Sequence, residues 1–309
     1  MSTSYTIRNY QPADFDQYVR LNVEAEKPEL TGRHASPQVG VENLGRPNYS
    51  PEQDLFVVEM GESIVGYMDI TSNLKIRRVI LDCFIHPAHR KQGLASRLLG
   101  LVMQRSKELG AKVAHVNVPK DDVVANSVLP RLDFKFIRRF LELSLDVSGG
   151  RWQDIDKNGF PCRHLQRGEE DELAGIQNRS FADTWGYNPN TVEEIIYLTN
   201  LSDCSPEDII LVCDGDKTVG YCWTKLESRA DDHLSKEQGR VYMLGVDPDY
   251  RGSGIGKRVL VVGVSYLTSK GVQIVELTAD SENRAACALY RSVGFKIRTS
   301  SLWYEKVVD

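Results

Sequence analysis

The stretch DPDYRGSGIGKRVL (247–260) has an echo earlier in the chain, HPAHRKQGLASRLL (86–99). Pro87 falls on Pro248, Arg90 on Arg251, Gly93 on Gly254 and Ala95 on Gly256, at a constant offset of 161 residues. That offset still holds where LDF (132–134) meets VGF (293–295). Upstream, DLFVVEMGESIVGYMDI (54–70) pairs with DIILVCDGDKTVGYCWT (208–224) at an offset of 154, and TIRNYQPAD (6–14) with PCRHLQRGE (161–169) at 155. Offsets that drift by a few residues mark loop insertions between two copies of one fold. The length of 309 residues fits two domains of ordinary size. Ser-Gly-Gly in DVSGGRW (146–152) reads as a linker, so the domains are expected at 1–147 and 152–309.

Each copy predicts the same order of elements. An opening strand leads to a helical region with an irregular connection, such as the Gly/Pro-containing 28–51. Two strands around a tight turn follow (LFVVE–MGES–IVGYMDI; IILVC–DGDK–TVGYCWT), Asp-Gly between apolar runs being a hairpin signal. Then come an apolar strand (VILDCFI; VYMLGV), the Arg/Gly loop and an amphipathic helix. A further strand (KVAHVNV; QIVELTA), a short helix and a closing strand complete the copy. The expected class is α/β (α+β), two tandem domains, each with a mixed and mostly antiparallel sheet flanked by helices.

Composition excludes some functions. A net charge of −5 without a basic, aromatic-interleaved run argues against nucleic acid. No stretch approaches the roughly 18 apolar residues of a membrane span, and the N-terminal residues carry no apolar signal region, so a cytoplasmic protein is expected. The six cysteines lack CxxC spacing or a His at ligand spacing, which predicts neither a metal site nor a disulfide framework.

RGSGIG (251–256) invites a nucleotide reading, and its context refuses one. A dinucleotide fingerprint follows its strand directly, whereas Asp247-Pro248-Asp249-Tyr250 intervene here. A Walker loop needs Gly-Lys-Ser/Thr, and Gly256-Lys257-Arg258 lacks the hydroxyl. The pattern R/Q-x-x-G-x-G/A between a mid-domain strand and a long helix resembles the acyl-CoA loop of the GNAT acetyltransferase superfamily. NRAACALYRSVGF (283–295) is similar to that superfamily's N-x-x-A-x-x-L/F-Y-x-x-x-G-F segment. The resemblance implies that the loop Arg251, Gly252, Ser253, Gly254, Ile255, Gly256 and Lys257 holds the pyrophosphate of acetyl-CoA. It implies that Asn283 meets the pantetheine arm and that Tyr290 faces the sulfur. It also implies that the backbone of Leu244, Gly245 and Val246 polarises the thioester carbonyl. The residues agree on physical grounds: glycines bring N–H groups close to an anion at the positive end of a helix.

Transfer to an amine requires a proton for the leaving thiolate and a proton acceptor for the ammonium. A phenol of pKa about 10 beside a thiol of about 8.5 suits the first task, which makes Tyr290 the expected acid. For the base, Glu227 at the end of YCWTKLE is the candidate, the alternative being a solvated charge. Asp183 in FADTWGY is a second candidate, with an N-cap as its alternative. The tandem layout is similar to that of the mycothiol synthases, tandem GNAT enzymes that acetylate a cysteine-bearing amino sugar–inositol conjugate. That resemblance implies acceptor contacts at Trp185, Tyr187, Trp223 and Lys225. One departure stands out: those enzymes carry a Glu just before the VYxLGV strand, where this chain has Arg240.

The first copy keeps Arg90, Gln92, Gly93 and Ala95, so a cradle for acyl-CoA is expected there too. Leu129-Pro130 replaces the tyrosine position and Asp122 falls on Asn283, so this copy is expected to be degenerate in catalysis. The leading expectation is an N-acetyltransferase acting on a small-molecule or peptide amine, monomeric because its two copies can stand in for a dimer. The rival is a non-catalytic acyl-CoA-binding or sensing protein.

Overall fold

The computed structural model describes residues 4–25, 36–150, 160–227 and 237–309. In chain order the elements are β1 (Tyr5–Asn9), α1 (Phe15–Ala25), α2 (Pro37–Leu44), α3 (Pro51–Asp54), β2 (Leu55–Met60), β3 (Ser63–Asn73), β4 (Arg78–Ile85), α4 (Leu94–Glu108), β5 (Val113–Pro119), α5 (Val123–Val128) and β6 (Lys135–Asp146). The second repeat supplies β7 (Cys162–His164), α6 (Glu170–Phe181), α7 (Val192–Thr199), β8 (Ile209–Asp214), β9 (Lys217–Glu227), β10 (Gln238–Val246), α8 (Ile255–Ser269), β11 (Ile274–Asp280), α9 (Arg284–Val293) and β12 (Lys296–Val307). The repeat seen in the sequence is thus a repeat of structure, with the short α3 of the first copy replaced by a 3-10 turn at Pro206–Asp208 in the second.

Local chemistry explains the matching ends. In each copy an Arg of the first strand reaches an acid six residues on: Arg8 to Asp14 and Arg163 to Glu169, both at 2.6 Å. A 3-10 turn opens the loop before each long helix, at Pro87–His89 and at Pro248–Tyr250. Gly93 and Gly254 then enter the helix with φ of +72° and +89°. Two positions earlier, Gly252 has φ of +79° and its counterpart Lys91 +63°. The first copy therefore holds the same loop shape with a side chain in the left-handed region, at a cost in strain.

The chain forms two compact units, Met1–Arg138 with Leu302–Asp309, and Arg139–Ser301. In the first unit the strands run β1-β2-β3-β4-β5 and then the end of β12; in the second they run β7-β8-β9-β10-β11-β6. Within each, β4–β5 and β10–β11 are parallel, and the other pairs with a resolved register are antiparallel. Each repeat's closing strand was expected to finish its own copy. Instead β6 pairs with β11, with Leu143 opposite Leu277 and Leu145 opposite Val275, all four buried. Tyr304 and Val308 join the core of the first unit with Leu98, Val102 and Phe134. Burying such side chains stabilises by about 1.5–3 kcal/mol each, so the exchange is well supported by packing.

Helix α8 supplies the second unit's core with Val259, Leu260, Val264 and Leu267, all fully buried. Helices α6 and α7 cover the other face of the sheet, over Ile209, Leu211, Tyr221 and Trp223. Thr191 caps α7 in a reciprocal box with Glu194. Among the described residues no helix is long and apolar enough to cross a membrane.

Candidate active site

The parallel ladder β10–β11 runs only from Gln238 opposite Ile274 to Val241 opposite Leu277. Beyond Val241 the two strands lose their pairing, although β10 continues to Val246 and β11 to Asp280. A bulge at Tyr242 shifts the register of β10 against β9 at this point. Further along, Gly245 faces Tyr221, and the N–H of Asp247 bonds Val219 on the β9 side at 2.9 Å. Alternation along the strand then turns the N–H groups of Leu244 and Val246 towards the opening. The expected carbonyl-polarising segment therefore lines a gap between strands. The first unit parts in the same way, β4–β5 pairing only from Arg78 to Ile80, but β4 has no bulge.

Loop 251–257 follows directly. The N–H of Arg251 bonds Pro248 and that of Lys257 bonds Gly254. Among the described residues, the N–H groups of residues 252–256 have no acceptor in the protein. Five donors in a row ahead of a 15-residue helix make an anion cradle of the kind a pyrophosphate fits. Arg251 itself is committed elsewhere: its Nη2 donates to the carbonyl of Ser180, at the end of α6, at 2.7 Å. It shapes the loop as well as charging it. In the first unit the corresponding Arg90 donates to Ile85 at 2.9 Å, and Gln92, Gly93 and Ala95 keep the loop form.

Nothing in the sequence singles out Ser180. A Cβ on Gly245 would lie 2.7 Å from its Cβ and 2.5 Å from Cε1 of Tyr221. Glycine at 245 is therefore what lets α6 press onto β10. Beside it, Asp247 is almost fully buried and accepts from the Asp249 N–H at 3.1 Å. Its burial works to raise the carboxyl, but that bond together with Arg179 and Lys217 holds it below the usual Asp range.

Tyr290 lies on α9, a continuous ten-residue helix, with its ring edge-on to Phe295. Burial, with Cys222 and Cys287 nearby, pushes its phenol well above the ordinary tyrosine value. Its hydroxyl has no hydrogen-bond partner among the described residues. Asn283 caps the same helix, its side chain accepting from the Ala286 N–H at 3.1 Å. Asp122 does the same for α5 at 2.9 Å. There the resemblance ends: α5 stops at Val128, Leu129 is buried in the core, and Pro130 forces a 3-10 turn.

The acceptor candidates fall into distinct places. Trp185 is half-buried, edge-on to Phe140 at 6.0 Å between ring centres. Tyr187 stacks on Phe181 and donates to Asn178 at 2.8 Å, so it pins the 181–190 turn. Burial pushes its phenol up to about 12. Trp223 is fully buried behind Tyr242 and has no surface to offer a ligand. Lys225 forms an ion pair with Asp203 at 2.9 Å, its Nζ 4.7 Å from the Tyr242 ring centre. Asp183 is exposed in the turn after α6, and the cap of α7 is Thr191. Glu227 ends β9, and its side chain lies outside the described residues. Arg240 is not isolated: it sits 3.5 Å from Glu276 and 3.8 Å from Glu142. Phe140 and Glu142 could not be found by repeat logic, because they come from the first repeat's closing strand.

In the first unit the equivalent ground is a polar lattice. Asp69, the counterpart of Trp223, holds Arg46 at 2.8 Å and accepts from Tyr49 at 2.8 Å. Residues 46 and 49 belong to the irregular connection 28–51. Residues 28–35 of it lie outside the described residues, and this part is tied to the first unit's own sheet. Asp82 touches solvent yet is hemmed in by protein; that, with Asp69, raises its carboxyl, and Tyr67 donates to it at 3.1 Å.

The second unit thus holds a strand gap, a donor-lined loop and a buried phenol. The sequence profile of the Acetyltransferase (GNAT) family matches residues 23–134 and again 171–295, and the chain belongs to that family. It is a tandem GNAT-type, acetyl-CoA-dependent N-acetyltransferase. A mycothiol acetyltransferase from Amycolatopsis mediterranei is 28% identical over 246 residues, 78% of this chain and 80% of the relative. A GCN5-related N-acetyltransferase structure from Sphaerobacter thermophilus shares the fold with a TM-score of 0.71 at 20% identity, covering 98% of this chain and 96% of that one. A tandem GNAT protein of the clavulanic acid biosynthesis pathway gives 0.70 at 13% identity, over 99% of both chains. Among the described residues no group of three or more His, Cys, Asp or Glu is placed to hold a metal ion.

Proposed function

We propose that the second unit carries out the reaction, acetylating a primary amine by direct attack on the acetyl thioester, and that the first unit does not catalyse. The observation that carries this reading is the contrast between α9, continuous and with Tyr290 in the core cluster that Leu244 and Val246 pack against, and α5, broken with Leu129 in the core. Acetyl-CoA supplies the activated acyl group. The N–H groups of 252–256 bind its pyrophosphate, and those of Leu244 and Val246 polarise the carbonyl. The amine attacks in its neutral form; Tyr290, kept protonated by burial, gives its proton to the departing thiolate, and the proton the nitrogen sheds as the amide forms returns to Tyr290 through water.

The acceptor is a small molecule or peptide bearing a primary amine. A cysteine-bearing amino sugar, suggested by the mycothiol acetyltransferase relatives, is a narrower reading supported by Lys225 and the 181–190 turn. Arg240 weighs against carrying it over unchanged. Thiol release from acetyl-CoA across glucosamine, an aminoglycoside, an alanyl dipeptide, lysine and a cysteinyl amino sugar tests the function. Turnover with at least one is expected; none at all would sink it in favour of a binding protein. Combined Arg90→Ala and Gly93→Val should leave the rate nearly intact, and an equal loss from either unit's loop would contradict the division of labour.

A further inference from the structure

The inner end of the second unit's strand gap carries a charge cluster with no role so far. Val241 opposite Leu277 is the last pair of the parallel ladder, and the next residue of β11, Thr278, pairs on its other side with Glu142 of β6. Glu142 thus sits where the strands begin to part. Thr278 Oγ1 donates to Glu142 Oε2 at 2.9 Å, and Arg240 Nη1 approaches the same oxygen at 3.8 Å and Thr278 at 3.3 Å. Oε1 of Glu142 has no hydrogen-bond partner among the described residues. The other carboxylate, Glu276, is shared between Arg240 at 3.5 Å and Arg298 at 3.3 Å. Its side chain is 7% exposed and that of Glu142 21%, so Glu276 is used internally and Glu142 is the one turned to solvent. Two residues along β6 on the same face is Phe140, edge-on to Trp185.

We propose that Glu142 binds the acceptor's ammonium and sets it where the gap begins, beside the Phe140–Trp185 wall. The proposal rests on the second unit being the acetyl-transfer site. A carboxylate with one unengaged oxygen next to aromatic rings suits a primary ammonium, through a charge-assisted hydrogen bond and the ring faces. Arg240, beside it, places a positive charge against the rest of the acceptor. The site therefore takes a monoamine with a neutral or anionic body in preference to a polyamine.

The test uses the full-length chain and the panel amine that the wild-type protein turns over fastest. Glu142→Gln should raise KM for that amine about 10–100-fold, with KM for acetyl-CoA within about twofold and kcat within about threefold. Glu142→Asp should recover part of the loss. Calorimetry of acetyl-CoA with both proteins keeps the two readings apart. Equal acetyl-CoA binding with an unchanged amine KM in Glu142→Gln overturns this inference alone. A joint rise in both KM values overturns it as well, since that marks a structural role. Failure of the wild-type protein to bind acetyl-CoA removes the underlying reading. Spermidine turned over faster than glucosamine would overturn the preference assigned to Arg240.

Discussion

Arg251 reaches back from the glycine loop to the carbonyl of Ser180 at 2.7 Å, while the Cβ of the same Ser180 lies where a side chain on Gly245 would have to go. One residue at the end of α6 therefore fixes both the cradle and the strand edge. Gly245→Ala should destabilise the fold by about 1–3 kcal/mol through overpacking and raise KM for acetyl-CoA. Thermal denaturation and initial rates read the two effects separately. A wild-type Tm and KM would show that α6 can yield.

Tyr290→Phe removes a hydroxyl and leaves the ring in its packing against Phe295. We expect kcat to fall about 10²–10³-fold with acetyl-CoA affinity almost unchanged. In the wild-type protein the raised phenol should give kcat no alkaline limb near the ordinary tyrosine value of about 10. Retained kcat in the variant would remove Tyr290 from the chemistry.

Asp247 has a depressed carboxyl, so its contribution to stability is present above the ordinary Asp value of about 3.9 and is lost as the pH falls below it. Asp247→Asn should cost about 1.5–3 kcal/mol at pH 7, the range for hydrogen bonds to charged groups. The difference from wild type should narrow as denaturation is followed down to pH 3. A gap that stays constant with pH would assign the loss to packing.

Buried phenols act at the other end of the scale. Tyr67 and Tyr221 are raised by burial, so their contribution is complete below about pH 10 and disappears as the pH climbs past it. Melting temperatures should be level from pH 7 to 9 and fall steeply above 10. Replacing Tyr67 by Phe should soften that fall.

Removal of residues 302–309 takes a strand from the first unit, although the residues lie in the second repeat. The truncated protein should lose protection from hydrogen exchange in β4, β5 and α4 more than in α8 and β9. The reverse pattern would contradict the exchange of closing strands.

Much of this architecture was legible in the residues. The 161-residue echo specified matching loops, and Gly252 and Gly254 adopt the left-handed angles that an anion cradle uses. Pro130 announced the break in α5. The strand exchange was not legible, because β6 and β12 fit either unit equally well in pattern and only packing chooses between them. Phe140 and Glu142 were hidden by the same ambiguity. The burial of Trp223 was not legible for a simpler reason: an aromatic at a site's edge and one lying behind it look alike in sequence.

The exchanged strands also impose an order on biosynthesis. The eight residues that complete the first unit leave the ribosome only after all of residues 139–301. The N-terminal half, although translated first, waits through the making of the whole second half before its sheet can close. A nascent chain of this protein therefore carries an unpaired strand edge while the second unit is being made, a period in which protection by chaperones matters most.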